Sequence, residues 1–363
     1  MIATNIPDES SNMKTDDKWQ GVNKHSGILK FYHRHMISYD YMLRFPSDCI
    51  GNFAIMSKPF GARCLLYTGK GKTYLRDRRG VVLRCFESLL PNGSELTKAA
   101  NNVMLQCMYN ETSLTAYLVD VLKWEDTDLI ASPFEMRWSW MITKIQSLDK
   151  VTEIGMCNNI RLRYNANIYS FNPKKFDLLY NCKNILEMSS HKDLVVSHYD
   201  VDQKNELFLR DGLLIINLEG PYIMGISPFY LQWKDDRCSA QYNKEMIDGK
   251  TNYIAKLLLT KLNELITEDN VTLCSLSPEE ASINNYIYGK VYVVSFDFID
   301  SVNMKLVNPK ILKKSQSYAI STWAQIMFFN KERKLYSYET LQAELIYLKN
   351  DAQKEINEEI MES

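Results

Sequence analysis

Apolar and polar positions alternate through much of this chain, and the period of two marks strands. Leu105-Gln-Cys-Met-Tyr-Asn-Glu111 and Ala116-Tyr-Leu-Val-Asp-Val-Leu-Lys-Trp124 read as two short strands joined by a turn at Asn110 and Glu111. The second run encloses one polar residue, Asp120. Phe53–Met56, Ala62–Thr68, Thr73–Leu75 and Val81–Phe86 continue the strand pattern. Gly69-Lys-Gly-Lys72 forms a hairpin turn among them, and Leu90-Pro-Asn-Gly-Ser94 a further turn. Leu207–Leu218, which contains Asp211-Gly-Leu-Leu-Ile215, and Lys290–Phe298 read as strands. Phe31–Leu43 forms a short helix or an extended arm leading to a turn at Phe45-Pro-Ser-Asp48.

Helical spacing is rarer. Ser132-Pro-Phe-Glu135 has the residues of a helix start. Phe134, Trp138, Met141, Ile142 and Ile145 then recur on one face, which makes Trp138 a core residue and leaves Trp140 facing elsewhere. Lys174–Leu186 and Asn252–Ile266 read as helices, the second amphipathic. Tyr338–Ile360 is a charged helix whose stripe of Leu341, Leu345 and Leu348 requires a partner surface, on its own domain or on another chain. Residues 1–28 are polar and without period, a disordered lead. The chain divides into this lead, a domain over 29–245, and a C-terminal α/β extension over 246–363 that ends in the long helix.

Composition narrows the function classes. A net charge of −1 in 363 residues excludes a global basic field of the kind that drives nonspecific nucleic-acid binding. The eight cysteines are scattered, with no Cys-x-x-Cys pair, and read as buried small hydrophobes in a reducing compartment. His33 and His35 lack a third ligand, so no metal is expected. No apolar stretch approaches the ~18 residues of a membrane span. No apolar signal core opens the chain, so cytoplasm and nucleus are the expected compartments. Against this neutral background Lys58, Arg63, Lys70, Lys72, Arg76, Arg78, Arg79 and Arg84 crowd one hairpin with a single acid, Asp77. Such a patch suits a triphosphate or an RNA backbone; edge protection of a solvated hairpin is the alternative.

A set of short motifs keeps a shared order with one known family. They are Tyr32-His33, Phe45-Pro-Ser-Asp48, Phe60-Gly-Ala-Arg63, Ser88-Leu-Leu-Pro-Asn-Gly93, Met108-Tyr-Asn-Glu111, Tyr117-Leu-Val-Asp-Val-Leu122, Trp140-Met-Ile-Thr-Lys144, Asp211-Gly-Leu-Leu214 and Trp233. Over roughly residues 30–234 the chain resembles snurportins, which bind the trimethylguanosine cap of small nuclear RNA. Their cap-binding domain is built like the nucleotidyl-transferase domain of mRNA guanylyltransferases. The resemblance implies an α+β fold, with antiparallel sheets flanked by helices around a nucleotide-binding cleft. It also implies noncatalytic binding of a cap without cofactor, and a capped snRNA or U snRNP as partner. Two aromatic platforms sandwich the base in that family, as suits a cationic methylated guanine. By position they fall on Tyr41, with Tyr39 as neighbour, and on Trp233, flanked by polar Gln232 and Lys234. The family's basic residues fall on Arg63 and on Arg78 or Arg79, and Lys58 is placed to touch phosphate. The Arg-rich importin-β-binding helix of the family has no counterpart in residues 1–28, so an import receptor would need another contact, on the C-terminal region for example.

Two other readings stay open. Lys58-Pro-Phe-Gly61 stands where guanylyltransferases and ligases carry a nucleophilic Lys-x-Asp-Gly, with Phe60 replacing the Asp. Lys234 and Asp211 match later elements of that machinery, and Gln106 stands where a paired acid is expected. The alternative to an enzyme is a catalytically dead scaffold that uses its C-terminal helix for protein binding.

Overall fold

A computed structural model describes residues 35–46, 49–78, 80–149, 160–165, 168–181, 199–235, 237–239, 253–300, 302–315, 320–330 and 337–362. The lead, Tyr32, His33, Ser47, Asp48, Arg79 and the second half of the helix expected at 174–186 lie outside these residues.

Two antiparallel-dominated sheets form the first part of the chain. In the first, β1 (Ile37–Tyr41), β13 (Gly225–Trp233), β12 (Leu207–Asn217), β2 (Phe53–Pro59) and β10 (Ile168–Ser170) follow in that spatial order, with β11 (Tyr199–Val201) on β12. The second runs β5 (Val82–Phe86), β4 (Lys72–Asp77), β3 (Ala62–Gly69), β6 (Val103–Asn110), β7 (Thr115–Trp124) and β8 (Thr127–Asp128), with β9 (Arg161–Tyr164) on β7. Only the β1/β13 and β7/β9 pairs are parallel among these. The β6/β7 hairpin and the β3/β4 hairpin stand where the alternation placed them.

Each strand of the first sheet presents two faces, and they serve two cores. Ala54, Met56, Leu214 and Ile216 face the second sheet and share a cluster with Leu65, Leu105, Val119 and the helix α1 (Phe134–Asp149). Phe134, Trp138, Met141 and Ile145 of α1 are buried there, on the face that the 3.6 period predicted. Ile55, Leu213, Ile215 and Trp233 face the other way. They meet α2 (Pro173–Tyr180), α4 (Trp323–Asn330) and α5 (Tyr338–Glu362) through Phe176, Leu179, Phe328, Leu341 and Leu345. Helix α2 opens on an Asn172 cap that accepts from Lys175 N at 3.0 Å, followed by Pro173. The Leu341/Leu345/Leu348 stripe thus finds its partner on its own chain.

The expected helix at 252–266 is instead two strands of a third sheet. That sheet runs β16 (Thr272–Ser275), β15 (Glu264–Ile266), β14 (Tyr253–Leu259), β17 (Val291–Phe296) and β20 (Lys310–Lys314). Asn263, at φ +59°, turns the chain between β14 and β15, and Leu262 is left exposed at the turn. Ala255, Leu257 and Leu259 point inward together, a period of two that the run Leu257–Leu259 conceals. β18 (Phe298–Asp300) and β19 (Lys305–Val307) form a separate hairpin, and α3 (Pro278–Ile283) is a short helix capped by Ser277. Helix α4 is wedged between two cores: Ile326 and Met327 join the third sheet, Phe328 the first. This accounts for its apolar residues on all sides. No described helix is long and apolar enough to cross a membrane.

Candidate functional site

The Asp211-Gly212 pair interrupts β12. Its pairing with β2 shifts register between Arg210 and Leu213, so one extra residue bulges out of the ladder. Gly212 adopts φ +89°, and a Cβ there would lie 2.4 Å from the carbonyl oxygen of Trp233, so no other residue fits. The bulge inverts the alternation at Arg210 and Asp211. Arg210 is thereby turned to the helix side, where it donates to the carbonyls of Leu179 and Tyr180 at the end of α2. Asp211 is turned to the side of Lys58.

On that side a compact polar cluster assembles from three strands. Lys58 Nζ on β2 donates to Asp211 Oδ2 and to Gln232 Oε1, both at 2.9 Å. Lys234, just beyond β13, reaches the same Asp211 Oδ2 at 2.8 Å, and Ser239 Oγ donates to Asp211 Oδ1 at 2.6 Å. All three charged side chains are buried. Burial alone would raise the Asp211 pKa; Lys58, Lys234 and the hydrogen bonds from Lys234 and Ser239 outweigh it and hold it at about 2.

Gln232 connects this cluster to β1 by donating Nε2 to the carbonyl of Tyr39 at 3.1 Å. Over the Tyr39 ring, at 5.6 Å, lies the Arg63 guanidinium, whose Nη1 donates to Ile37 O at 2.9 Å. Arg63 Nε is buried and has no hydrogen-bond partner. Burial and then the neighbouring Arg78 charge lower the Arg63 pKa. Arg78 itself is paired with Glu268, from the turn after β15 in the third sheet. The Tyr39 hydroxyl accepts from Gln106 Nε2 at 2.6 Å, and Gln106 Oε1 accepts from Tyr222 OH at 2.5 Å and from Ile37 N at 3.1 Å. Gln106, which stands where a paired acid would be expected, is therefore a fully buried bridge between the two sheets.

The structure corrects several expectations. Trp233 is 0% exposed, with the rings of Phe176 and Tyr180 each 5.8 Å from its own, and is a core residue rather than an open platform. Its polar neighbours Gln232 and Lys234 do not indicate exposure, because adjacent strand residues point to opposite faces and theirs carries the charged cluster. Tyr41 is 8% exposed and packs on Phe328 at 4.9 Å, in the same helix-side cluster as Trp233. A register shift between Tyr39 and Asp40 sends Tyr39 to the opposite, inter-sheet side. Arg79 lies outside the described residues.

Nor does the basic hairpin present a continuous patch. Arg76 is buried and bonded to Tyr67 OH and Gly80 O, and Arg84 reaches Tyr109 OH and Glu111. Lys58, Arg63 and Arg78 have the partners given above. Lys70 and Lys72 remain exposed near the turn. Asp120, the polar residue noted inside β7, pairs with Arg137 of α1 through two contacts of 2.9 and 3.0 Å, and also accepts from Tyr230 OH. Both charges are fully buried, so this pair anchors α1 to the sheet and takes no part in a surface. Among the described residues no group of three His, Cys, Asp or Glu side chains could hold a metal ion.

The family model described as Snurportin1, m3G cap-binding domain matches residues 34–234. That is more than half of the chain, and the chain belongs to this family. Solved structures similar to it include the ligase domain from M. tuberculosis LigD, at 9% identity over 83% of this chain and 99% of that one, with a TM-score of 0.36. The ATP-dependent DNA ligase from bacteriophage T7, complexed with ATP, matches at 11% identity over 78% and 99%, TM-score 0.36. Chlorella virus DNA ligase-adenylate matches at 12% over 77% and 98%, TM-score 0.33. Similarity at this level assigns no residue a role.

Proposed function

We propose that this chain binds the m3G cap of small nuclear RNA without carrying out chemistry on it. Membership of the Snurportin1 m3G cap-binding family supports the ligand class. The observation that carries the reading is the inter-sheet cluster, in which Lys58 and Lys234 converge on Asp211 while Arg63, from β3 of the second sheet, lies over Tyr39 of the neighbouring β1. Buried amino groups held by a fixed carboxylate, with a guanidinium held by the Ile37 carbonyl beside them, form a preorganised site for the phosphates of a cap. In this reading Lys58, Lys234, Arg63 and Arg78 meet the triphosphate. Tyr39, backed by Tyr230 at 6.2 Å, lies on that side but is buried like Tyr41, so a cap base that stacks on it needs the ring uncovered on binding. Tyr41 and Trp233 support the sheet from behind.

The test is a titration of the full chain with fluorescently labelled trimethylguanosine, 7-methylguanosine and unmethylated GpppG caps, read by anisotropy. Preference for the trimethylated cap, weakened in Arg63→Ala, is the expected result. Absence of binding to any of the three sinks the proposal. The wider role is that of an adaptor that carries U snRNPs from cytoplasm to nucleus with importin β or another receptor. A binary pull-down of the full chain with importin β, with and without capped RNA, tests it.

One observation favours a second reading. Lys58 shares a carboxylate with Lys234, and a nearby cation is a known means of activating a lysine nucleophile. A lysyl-nucleotide enzyme would form an acid-stable adduct with labelled GTP that Lys58→Ala abolishes, whereas the cap binder forms none.

A further inference from the structure

The cations that stand out in the sequence are mostly engaged inside the fold. A different set remains exposed on the third sheet. Residues 301–315 contain Lys305, Lys310, Lys313 and Lys314 and no Asp or Glu. In the ladder, Lys313 of β20 pairs with Val293 of β17, which pairs with Lys256 of β14. Lys310 pairs with Ser295, two residues further along β17. The inward set of this sheet is Ala255, Leu257, Tyr292, Val294 and Phe296. Lys256, Val293, Ser295, Lys310 and Lys313 therefore share the outward face. Two strand spacings separate Lys256 from Lys313, about 10 Å. Lys256, Lys310 and Lys313 are exposed, and no ion pair holds them among the described residues.

Lysines on an edge strand commonly guard against edge-to-edge pairing, which would account for β20. It does not account for Lys256. β15 pairs with β14 only at Leu258 and Leu259, and at Lys256 that side of β14 is already closed by Ser321, whose hydroxyl accepts from Lys256 N at 3.1 Å, so Lys256 guards no open edge. Lys256 is also placed next to the candidate site along the chain. Its carbonyl accepts from Ser321 N at 2.8 Å, Ser321 O accepts from Glu268 N at 3.0 Å, and Glu268 holds Arg78. The next residue, Thr322, donates to Asp40 of β1 at 2.9 Å.

We infer that the outward face of the third sheet, through Lys256, Lys310 and Lys313, is a phosphate-tracking surface for the RNA strand that follows the bound 5′ end. This rests on the proposed cap-binding reading for the placement of that end. The occupant is a single-stranded polyanion, because the face offers a row of separated ammonium groups and no pocket-forming ring to select a base. A lysine row contacts phosphates one by one and releases their counterions, so its signature is salt dependence more than base preference.

The experiment compares wild type with the full-length Lys256→Ala/Lys310→Ala/Lys313→Ala variant. Anisotropy of a 3′-labelled single-stranded oligoribonucleotide, capped and uncapped, is measured across a salt series. The variant should bind RNA more weakly, and its log K against log salt slope should be shallower by about 2, from three contacts at ~0.7 each. Affinity for the isolated cap dinucleotide should be unchanged. An unaltered slope and RNA affinity overturn the inference, whatever the cap data show. Lysine-dependent binding of uncapped RNA with no binding of the cap dinucleotide would uphold this surface and reject the cap reading. Tighter binding of labelled polyaspartate than of the oligoribonucleotide at equal charge concentration, with the same dependence on the three lysines, would overturn it in favour of an acidic protein partner.

Discussion

Asp211→Asn strikes the point on which three strands converge. The carboxylate accepts from Lys58, Lys234 and Ser239 at 2.6–2.9 Å and is nearly enclosed. Asn keeps the volume and one acceptor but removes the charge, so two buried ammonium groups lose the anion they share. Removing one partner of a buried pair is destabilising by about 3–5 kcal/mol, a large share of the ~5–15 kcal/mol of a typical fold. The acid limb gives a second, independent figure. An Asp that titrates at about 2 in the fold and at 3.8 outside it gains about 2.5 kcal/mol, at ~1.4 kcal/mol per pH unit. Because the folded value is the lower one, this stability is fully present above pH 3.8 and is lost as pH falls towards 2. Urea unfolding at neutral pH, repeated between pH 5 and 2, reads both. Wild type should lose stability over the acid range faster than Asp211→Asn, so that the gap between them narrows. Asp211→Asn/Lys234→Met, which removes one of the two cations, should recover part of the neutral-pH loss. A neutral-pH loss under ~1 kcal/mol, or a gap independent of pH, would refute the account of the cluster as a carboxylate held by two lysines.

Other perturbations separate site from scaffold. Glu268→Gln frees Arg78 of a partly exposed carboxylate and should tighten an anionic cap two- to fivefold, about 0.5–1 kcal/mol, in the anisotropy assay; unchanged or weaker binding counts against Arg78 as a phosphate contact. Leu345→Ala empties a fully buried position under α5 and should destabilise by ~2–5 kcal/mol in urea unfolding; a neutral result would return α5 to the pool of surfaces awaiting a partner. Trp233→Ala should cost ~3–5 kcal/mol by cavity formation, while Trp233→Phe, if Trp233 is only core, keeps cap affinity within about twofold of wild type. A tenfold loss in Trp233→Phe at intact stability would restore the platform role. Arg137→Met leaves Asp120 buried without its guanidinium and should lower stability by ~3–5 kcal/mol with no specific effect on RNA.

What was legible in the sequence depended on how local the determining physics is. Hairpins such as β3/β4 and β6/β7 announce themselves by alternation and turn residues within a dozen positions. α1 does so by the Ser-Pro-x-Glu start and its apolar stripe. Where a run satisfies two periods, the sequence does not decide. Leu257–Leu259 with Ile266 fits a helix as well as strands, and the choice is made by pairing with β17, more than 30 residues away. Long-range partners are equally silent. Nothing near Arg78 points to Glu268, and nothing near Asp120 points to Arg137, so the basic hairpin looked freer than it is. Lys58, Asp211 and Lys234 could each be picked out, but only the bulge at Gly212 turns the second towards the other two.

The two faces of the first sheet make the site an asymmetric one. On the helix side Trp233, Tyr41, Phe176 and Phe328 interlock with α2, α4 and α5, and this packing fixes β12 and β13 in place. On the inter-sheet side the same strands hold Asp211, Gln232 and Lys234. A substitution on the helix side therefore reaches the charged cluster through the backbone: Gly212 has the Trp233 carbonyl within 2.4 Å of its Cβ direction, and Lys234 follows Trp233 directly. Rigid support of this kind reduces the ordering that binding must impose on the lysines, which is how a preorganised site gains affinity. It follows that a loosened α5 should weaken anion binding as well as stability, and that the two losses should track each other across a series of substitutions at Leu341, Leu345 and Phe328. If affinity stays constant while stability falls along that series, the helix-side core and the charged cluster are independent, and the rigidity of β12 and β13 contributes nothing to binding.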